Sequence, residues 1–221
     1  MRYYTKEFYE EMQVAAFITF PPSREEWNEF MDSLKEDKKD YIDNGILHLE
    51  LMKEDLLKYL PTSLHKLIHD KTIVTDYPSS ENLKIINQWR ESFNTKAECV
   101  KHASIERYES IKNELSTSVV HLHEEALHDA EVISFECKPE EHKCYMILEH
   151  YKNGKSIKVK LTFTNVKELS VDENIKGAKW LYDEVSGDAS FFEVNILFDY
   201  PLTEFHMKAA SLEFEIIIPE V

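Results

Sequence analysis

Glycine is almost missing from this chain of 221 residues: Gly45, Gly154, Gly177 and Gly187 are the only four. Phosphate cradles and flexible linkers are made of glycine, so a Walker loop, a dinucleotide fingerprint and a long hinge are all excluded. The GxSxG nucleophile elbow is absent too. Cysteine is limited to Cys99, Cys137 and Cys144, with no CxxC pair. Arginine stops at Arg107, which leaves the second half without the residue best suited to forked recognition of phosphate. No apolar run approaches the roughly 20 residues that span a bilayer. The opening MRYYTKEFYEEMQ is charged where a signal peptide would be apolar. These absences predict a cytoplasmic protein. Cys137 and Cys144 flank a short turn and could face each other across a hairpin, but reduced, buried packing residues are the expectation.

What the chain does have is acid. Its formal net charge is −16. Residues 1–127 carry 16 basic against 24 acidic side chains and residues 128–221 carry 10 against 18, so each part stands at −8. An evenly acidic surface repels nucleic acid and anionic lipid, and it attracts a basic protein partner.

The first part reads as helix. Thr5 is a candidate cap for a first helix that ITFPP ends. Ser23 and Glu26 form a capping box, and Trp27, Phe30, Met31, Leu34, Tyr41 and Ile42 follow at helical period until Asp43-Asn44-Gly45 offers a stop. From Pro78 no proline or glycine interrupts the chain until Pro139. At about 100° per residue Leu83, Ile86, Phe93 and Val100 share a side with Ile105, Leu115, Val119, Leu122 and Ala126, which predicts one long helix. Thr95 and Glu98 mark a place near Asn94 where it could kink.

After Asp129 the period becomes two. Ile133, Phe135 and Cys137 alternate with polar residues, as do Ile157 to Phe163, Phe192 to Phe198 and Leu212 to Ile218, and Asn153-Gly154 is a hairpin turn signal. The expected fold is α+β: a helical subdomain over 1–127 with one long helix, then an antiparallel sheet of five or six strands over 128–221.

The opening MRYYTKEFYEEMQ and the junction LHDAEVISFE resemble, over the whole chain, a bacterial family from spore-forming Gram-positive species: the domain of unknown function numbered 4085. That resemblance implies no activity, cofactor or site residue. The β part is similar in pattern to immunity-type proteins, which bind and neutralise toxins.

The junction His121 to Asp129, HLHEEALHD, holds the densest set of metal-ligand side chains. If the helix persists to this point, His121, Glu125 and His128 lie at i, i+4 and i+7 on one face. Imidazoles with a carboxylate are ordinary ligands for zinc or another divalent metal, with Asp129 as an outer-shell partner. Glu125 to His128 has the spacing used in di-iron bundles, but no second such motif exists. The competing reading is a wet helix flank with His128-Asp129 as the turn into the first strand. Cys99 with His102 and His65 with His69 are helical neighbours lacking an orienting third group. Trp180, Leu181 and Tyr182 with Asp183 and Glu184 form an aromatic-acidic cluster that core packing explains as well as a binding rim does. The functional expectation is a non-enzymatic acidic module that binds a basic protein without nucleic acid, membrane or cofactor. The alternative is a metal-dependent hydrolase or metal-binding protein using His121, Glu125 and His128.

Overall fold

In a computed structural model, residues 1–125, 127–152, 154–171, 174–188 and 190–217 are described. The stripe residue Ala126, the turn residue Asn153 and the strand residue Ile218 lie outside them. The fold is α+β, helices first and an antiparallel sheet second. Among the described residues no helix is long and apolar enough to cross a membrane.

Helix α1 (Lys6–Phe17) starts directly after Thr5. Ahead of α2 (Arg24–Ser33), Ser23 Oγ accepts the Glu26 amide at 3.1 Å, the forward half of the expected capping box, while Glu26 Oε1 accepts from the Ser23 hydroxyl at 3.3 Å and not from its amide. Such a cap is worth about 1 kcal/mol. A 3-10 turn at Lys35–Asp37 then separates α2 from α3 (Lys38–Leu51). Helix α3 runs straight through the stop expected at Asp43 to Gly45. Gly45 is there for another reason: a Cβ on it would come 2.6 Å from Val74 Cγ1, so its absence lets α3 approach the short helix α6 (Thr72–Thr75) closely. Between them lie α4 (Lys53–Tyr59) and α5 (His65–His69).

The long helix α7 covers Ser80–Ile111, and Ser79 Oγ accepts the Asn82 amide at its start. It does not break at Asn94. The Thr95 hydroxyl donates to the Glu91 carbonyl at 2.9 Å, back into the helix, and so does not cap a new one. The interruption comes later, at a 3-10 turn over Lys112–Glu114 and an extended Leu115, before α8 (Thr117–Glu124). The single helix expected to 127 is therefore two. Leu115, Val119 and Leu122 stay buried across the break, whereas Ile105 is 51% exposed.

Packing divides the chain into residues 7–99 and residues 1–6 with 100–221. The boundary falls inside α7 and not at the change of period near 128, because Ile111, Leu115, Val119 and Leu122 belong to the core of the β unit. The helical unit has its own core around Val14, Ile18, Leu49, Leu56, Ile68 and Ile86, with Trp27, Met31 and Tyr77 beside one another in a smaller cluster.

The β unit holds eight strands among the described residues, more than the sequence suggests: β1 (Glu131–Lys138), β2 (Lys143–Lys152), β3 (Lys155–Thr164), β4 (Glu168–Val171), β5 (Lys179–Gly187), β6 (Phe192–Asp199), β7 (Thr203–Ala209) and β8 (Ser211–Ile217). Their order is β4-β7-β6-β5-β1-β2-β3-β8, antiparallel throughout. At the middle the β1–β5 ladder is short: Glu131 pairs with Lys179, flanked by backbone bonds from Trp180 to Ala130 and from Val132 to Ala178. The two halves can therefore turn toward each other. Phe163 on β3 meets Phe192 on β6 at 6.3 Å, and Phe135 on β1 meets Phe205 on β7 at 5.4 Å, although these strands are far apart in the order. The eight-stranded sheet thus curls over a shared core, so that strands from its two ends meet. Phe163, Phe198 and Phe205 are completely buried, and truncating any one to alanine would cost about 3–5 kcal/mol.

Cys137 and Cys144 sit directly opposite each other on β1 and β2, with Cα atoms 4.1 Å apart, and are joined by a disulfide. This corrects the expectation of reduced packing residues. The hairpin register puts the two side chains on the same face. Cys99 is free and exposed.

Candidate functional site

The junction does organise a site, but with different residues from those its spacing suggests. Helix α8 ends at Glu124, and Glu125 is already extended at φ −75° and ψ 116°. His128 therefore leaves the helical face that was to carry His121, Glu125 and His128. The His121 ring stands edge-on to Phe214 at 4.4 Å. His128 packs against Tyr182 with ring centres 6.0 Å apart, and its Nδ1 lies 3.1 Å from Asp129 Oδ2. Asp129 has φ +66°, a left-handed turn that aspartate tolerates, and its amide donates to the Trp180 carbonyl. The turn reading of His128-Asp129 describes this geometry. Among the described residues no group of three His, Cys, Asp or Glu side chains could hold a metal ion.

The histidine that α8 holds against the β unit is His123. Its Nδ1 lies 2.5 Å from Asp183 Oδ2. A carboxylate only accepts, so Nδ1 carries the proton. The second oxygen, Asp183 Oδ1, accepts the Trp180 indole N–H at 3.2 Å. A register shift in β5 between Trp180 and Tyr182 makes this possible. It keeps Trp180 in the core while Asp183 comes round to α8. Burial pulls the His123 pKa down, but the hydrogen bond and charge of Asp183 outweigh it, and the net shift is upward. The Tyr108 ring from α7 covers the imidazole at 4.2 Å.

Around this pair lies a cleft of about 270 Å³, walled by Tyr4, Tyr108, Tyr182, His128 and Glu125. Tyr4 reaches it because the Glu184 carboxylate accepts the amides of Arg2, Tyr3 and Tyr4 at 2.8, 2.7 and 3.0 Å, pinning the first residues along β5. Tyr4 then stacks on Tyr182 at 4.6 Å. The Tyr108 hydroxyl donates to Glu124 Oε1, which also pairs with Lys112 at 3.0 Å. Burial first, then that bond to Glu124, pushes the Tyr108 pKa up to about 12. Burial likewise raises Tyr4, helped by Glu184, and Tyr182, helped by Tyr4. All three phenols therefore stay neutral at ordinary pH.

Chemically, Asp183 fixes the imidazole tautomer as an orienting group does in proton-transfer sites. The hydrogen bond that holds His123 goes to Asp183, and Ser104 also lines the cleft. No Lys or Arg lines the cleft. Aromatic faces beside carboxylates suit a cation.

Spacing along the chain missed His123 and Asp183 as a pair. The aromatic-acidic run from Trp180 to Glu184 was the available signal. Its partner lies 60 positions away, across a contact that only the fold creates.

The chain is thus an α+β protein with an eight-stranded antiparallel sheet and an acidic, aromatic cleft. It belongs to the family described as "Protein of unknown function (DUF4085)", which matches residues 3–209. No curated protein matches it. Among solved structures, an uncharacterized protein from Neisseria gonorrhoeae is similar at a TM-score of 0.33 and 10% identity, over 40% of this chain and 91% of that one.

Proposed function

We propose that this protein is a non-enzymatic binding module for a basic protein partner, and that the cleft beside His123 receives a cationic side chain of that partner. One observation carries the reading: three neutral tyrosines and the carboxylates of Glu125 and Asp183 line the cleft, and no Lys or Arg does. A cation placed there gains from the aromatic faces and the nearby negative charge together. The net charge of −16 supplies long-range attraction, which raises the association rate and weakens as salt screens it. Toxin neutralisation is a narrower form of the same reading, as are spore-forming Gram-positive hosts. Cytoplasmic location is a proposal too. The Cys137–Cys144 bond weighs against it, since the cytosol keeps such pairs reduced.

Affinity capture from host lysate at low and moderate salt tests the reading, run with the wild type and with Tyr182→Ala. A stoichiometric basic partner should be held at low salt, released by moderate salt, and lost with the variant. Absence of any such partner, together with turnover in a broad hydrolase screen, would make the protein an enzyme instead.

A further inference from the structure

The helical unit has a groove of its own, of about 480 Å³, between α1, α3 and α6. Phe17, Phe20, Trp27 and Tyr41 provide its apolar walls. Its floor follows from the sequence of α3. Tyr41, Asn44, Gly45 and His48 are spaced at i, i+3, i+4 and i+7, a stripe that would ordinarily be apolar and buried. Here Asn44 and His48 put polar groups on that side, and Tyr41 stands at its edge as a wall.

Charge is absent from the groove lining but abundant on the helices that contribute its walls. No Lys, Arg, Asp or Glu lines it. Residues 24–54, which form α2, α3 and the start of α4, hold ten acidic side chains against five basic ones. Apolar surface also continues past the groove: Leu47 is 61% exposed and Leu51 77%, one turn apart on α3. Phe30 and Tyr41, edge to face at 5.3 Å, are 38% and 40% exposed. Single exposed leucines need no explanation, but a run of them beside an open aromatic groove does.

We infer that this groove is a docking site for an amphipathic basic helix of a partner protein, its apolar face against Trp27, Tyr41, Leu47 and Leu51 and its basic flanks against the acidic rim. A small ligand would leave Leu47 and Leu51 bare. Strand addition requires a sheet edge, and the described residues of this unit contain no strand. A second copy would bring another −16 against the same acidic rim. An apolar stripe flanked by lysines matches both the groove and the rim. The inference stands apart from the cleft reading, since the two surfaces lie in different units.

The test uses the full chain and a designed leucine–lysine peptide, about five helical turns long, with leucines on one face. A scrambled peptide of the same composition keeps the charge but loses the stripe, and a leucine–glutamate version keeps the stripe but reverses the charge. Binding is followed by amide shifts in an NMR titration. The striped basic peptide should bind saturably and shift α1 and α3, at least about tenfold more tightly than either control. Leu47→Asn and Leu51→Asn, both at exposed positions and neutral, should each weaken it by about tenfold while circular dichroism stays unchanged. Equal binding of the scrambled peptide, or indifference to both substitutions, would overturn the inference. Shifts confined to Tyr108 and Tyr182 would also overturn it and leave the cleft reading standing. A dimer in sedimentation that Leu51→Asn dissolves would assign the groove to a second copy.

Discussion

His123 donates its Nδ1 proton to Asp183 at 2.5 Å, and this bond ties helix α8 to strand β5 across 60 residues of sequence. The ring is largely buried and Asp183 more so, with side-chain exposures of 23% and 12%. The pair is therefore shielded from much of the screening that weakens surface ion pairs. Asp183→Asn should cost about 2–3 kcal/mol, as expected for a charge-assisted hydrogen bond in partly buried surroundings. It should also move the His123 titration midpoint, read by NMR, back toward or below that of an ordinary histidine.

The pH dependence has a definite sign. The folded pKa of His123 is raised, so the protonated form is favoured by folding. Its stabilisation is complete below the unfolded value of about 6.5 and is lost as pH rises through the higher folded value. Urea denaturation of the wild type should show stability falling across that window. Asp183→Asn should flatten the fall. An unchanged slope in the variant would place the effect on another group.

The α+β class was legible because both signals are local: Ser23 caps α2, and apolar residues alternate with polar ones from Ile157 to Phe163 along β3. The helix break at Lys112–Ser116 was not legible. Leu115, Val119 and Leu122 keep helical spacing across it, since both sides pack on the same core. The candidate site was half legible. The junction and the run from Trp180 to Glu184 both stood out, but their union depends on the β5 bulge and on α8 stopping at Glu124. Neither leaves a mark in hydrophobic periodicity.

The N-terminal segment offers a second measurement. One carboxylate, Glu184, accepts three consecutive amides from Arg2 to Tyr4. Glu184→Gln loses the charge and one of the two acceptor oxygens, at a cost of about 1–2 kcal/mol. Hydrogen exchange at residues 2–4 should accelerate clearly, and the Tyr4–Tyr182 stack should loosen with it. Protection unchanged in the variant would mean that the stack holds the segment by itself.

Metal content follows from where α8 ends. His128 lies off the helix, and among the described residues no three His, Cys, Asp or Glu side chains come together to hold a metal ion. Elemental analysis of untagged protein should find zinc, iron, manganese and nickel each below about a tenth of an equivalent, with no saturable uptake on titration. Stoichiometric uptake abolished by His121→Ala would restore the metal reading of His121, Glu125 and His128.

Gly45 gives the last prediction, and two effects compete there. Alanine in a helix interior is favoured over glycine by about 1 kcal/mol, so on propensity alone Gly45→Ala should stabilise α3. Against that, the new Cβ would stand 2.6 Å from Val74 Cγ1, closer than real Cβ contacts come. Val74 is buried, and its branched side chain has few rotamers into which it could retreat. Overpacking of this kind costs about 1–3 kcal/mol, enough to cancel the propensity gain and exceed it. The variant should therefore lose stability in urea by up to about 2 kcal/mol. Gly45→Ala combined with Val74→Ala, which removes the offending methyls, should recover part of that loss despite opening a small void. If Gly45→Ala alone proves stabilising, α3 and α6 are not packed as closely as this contact requires.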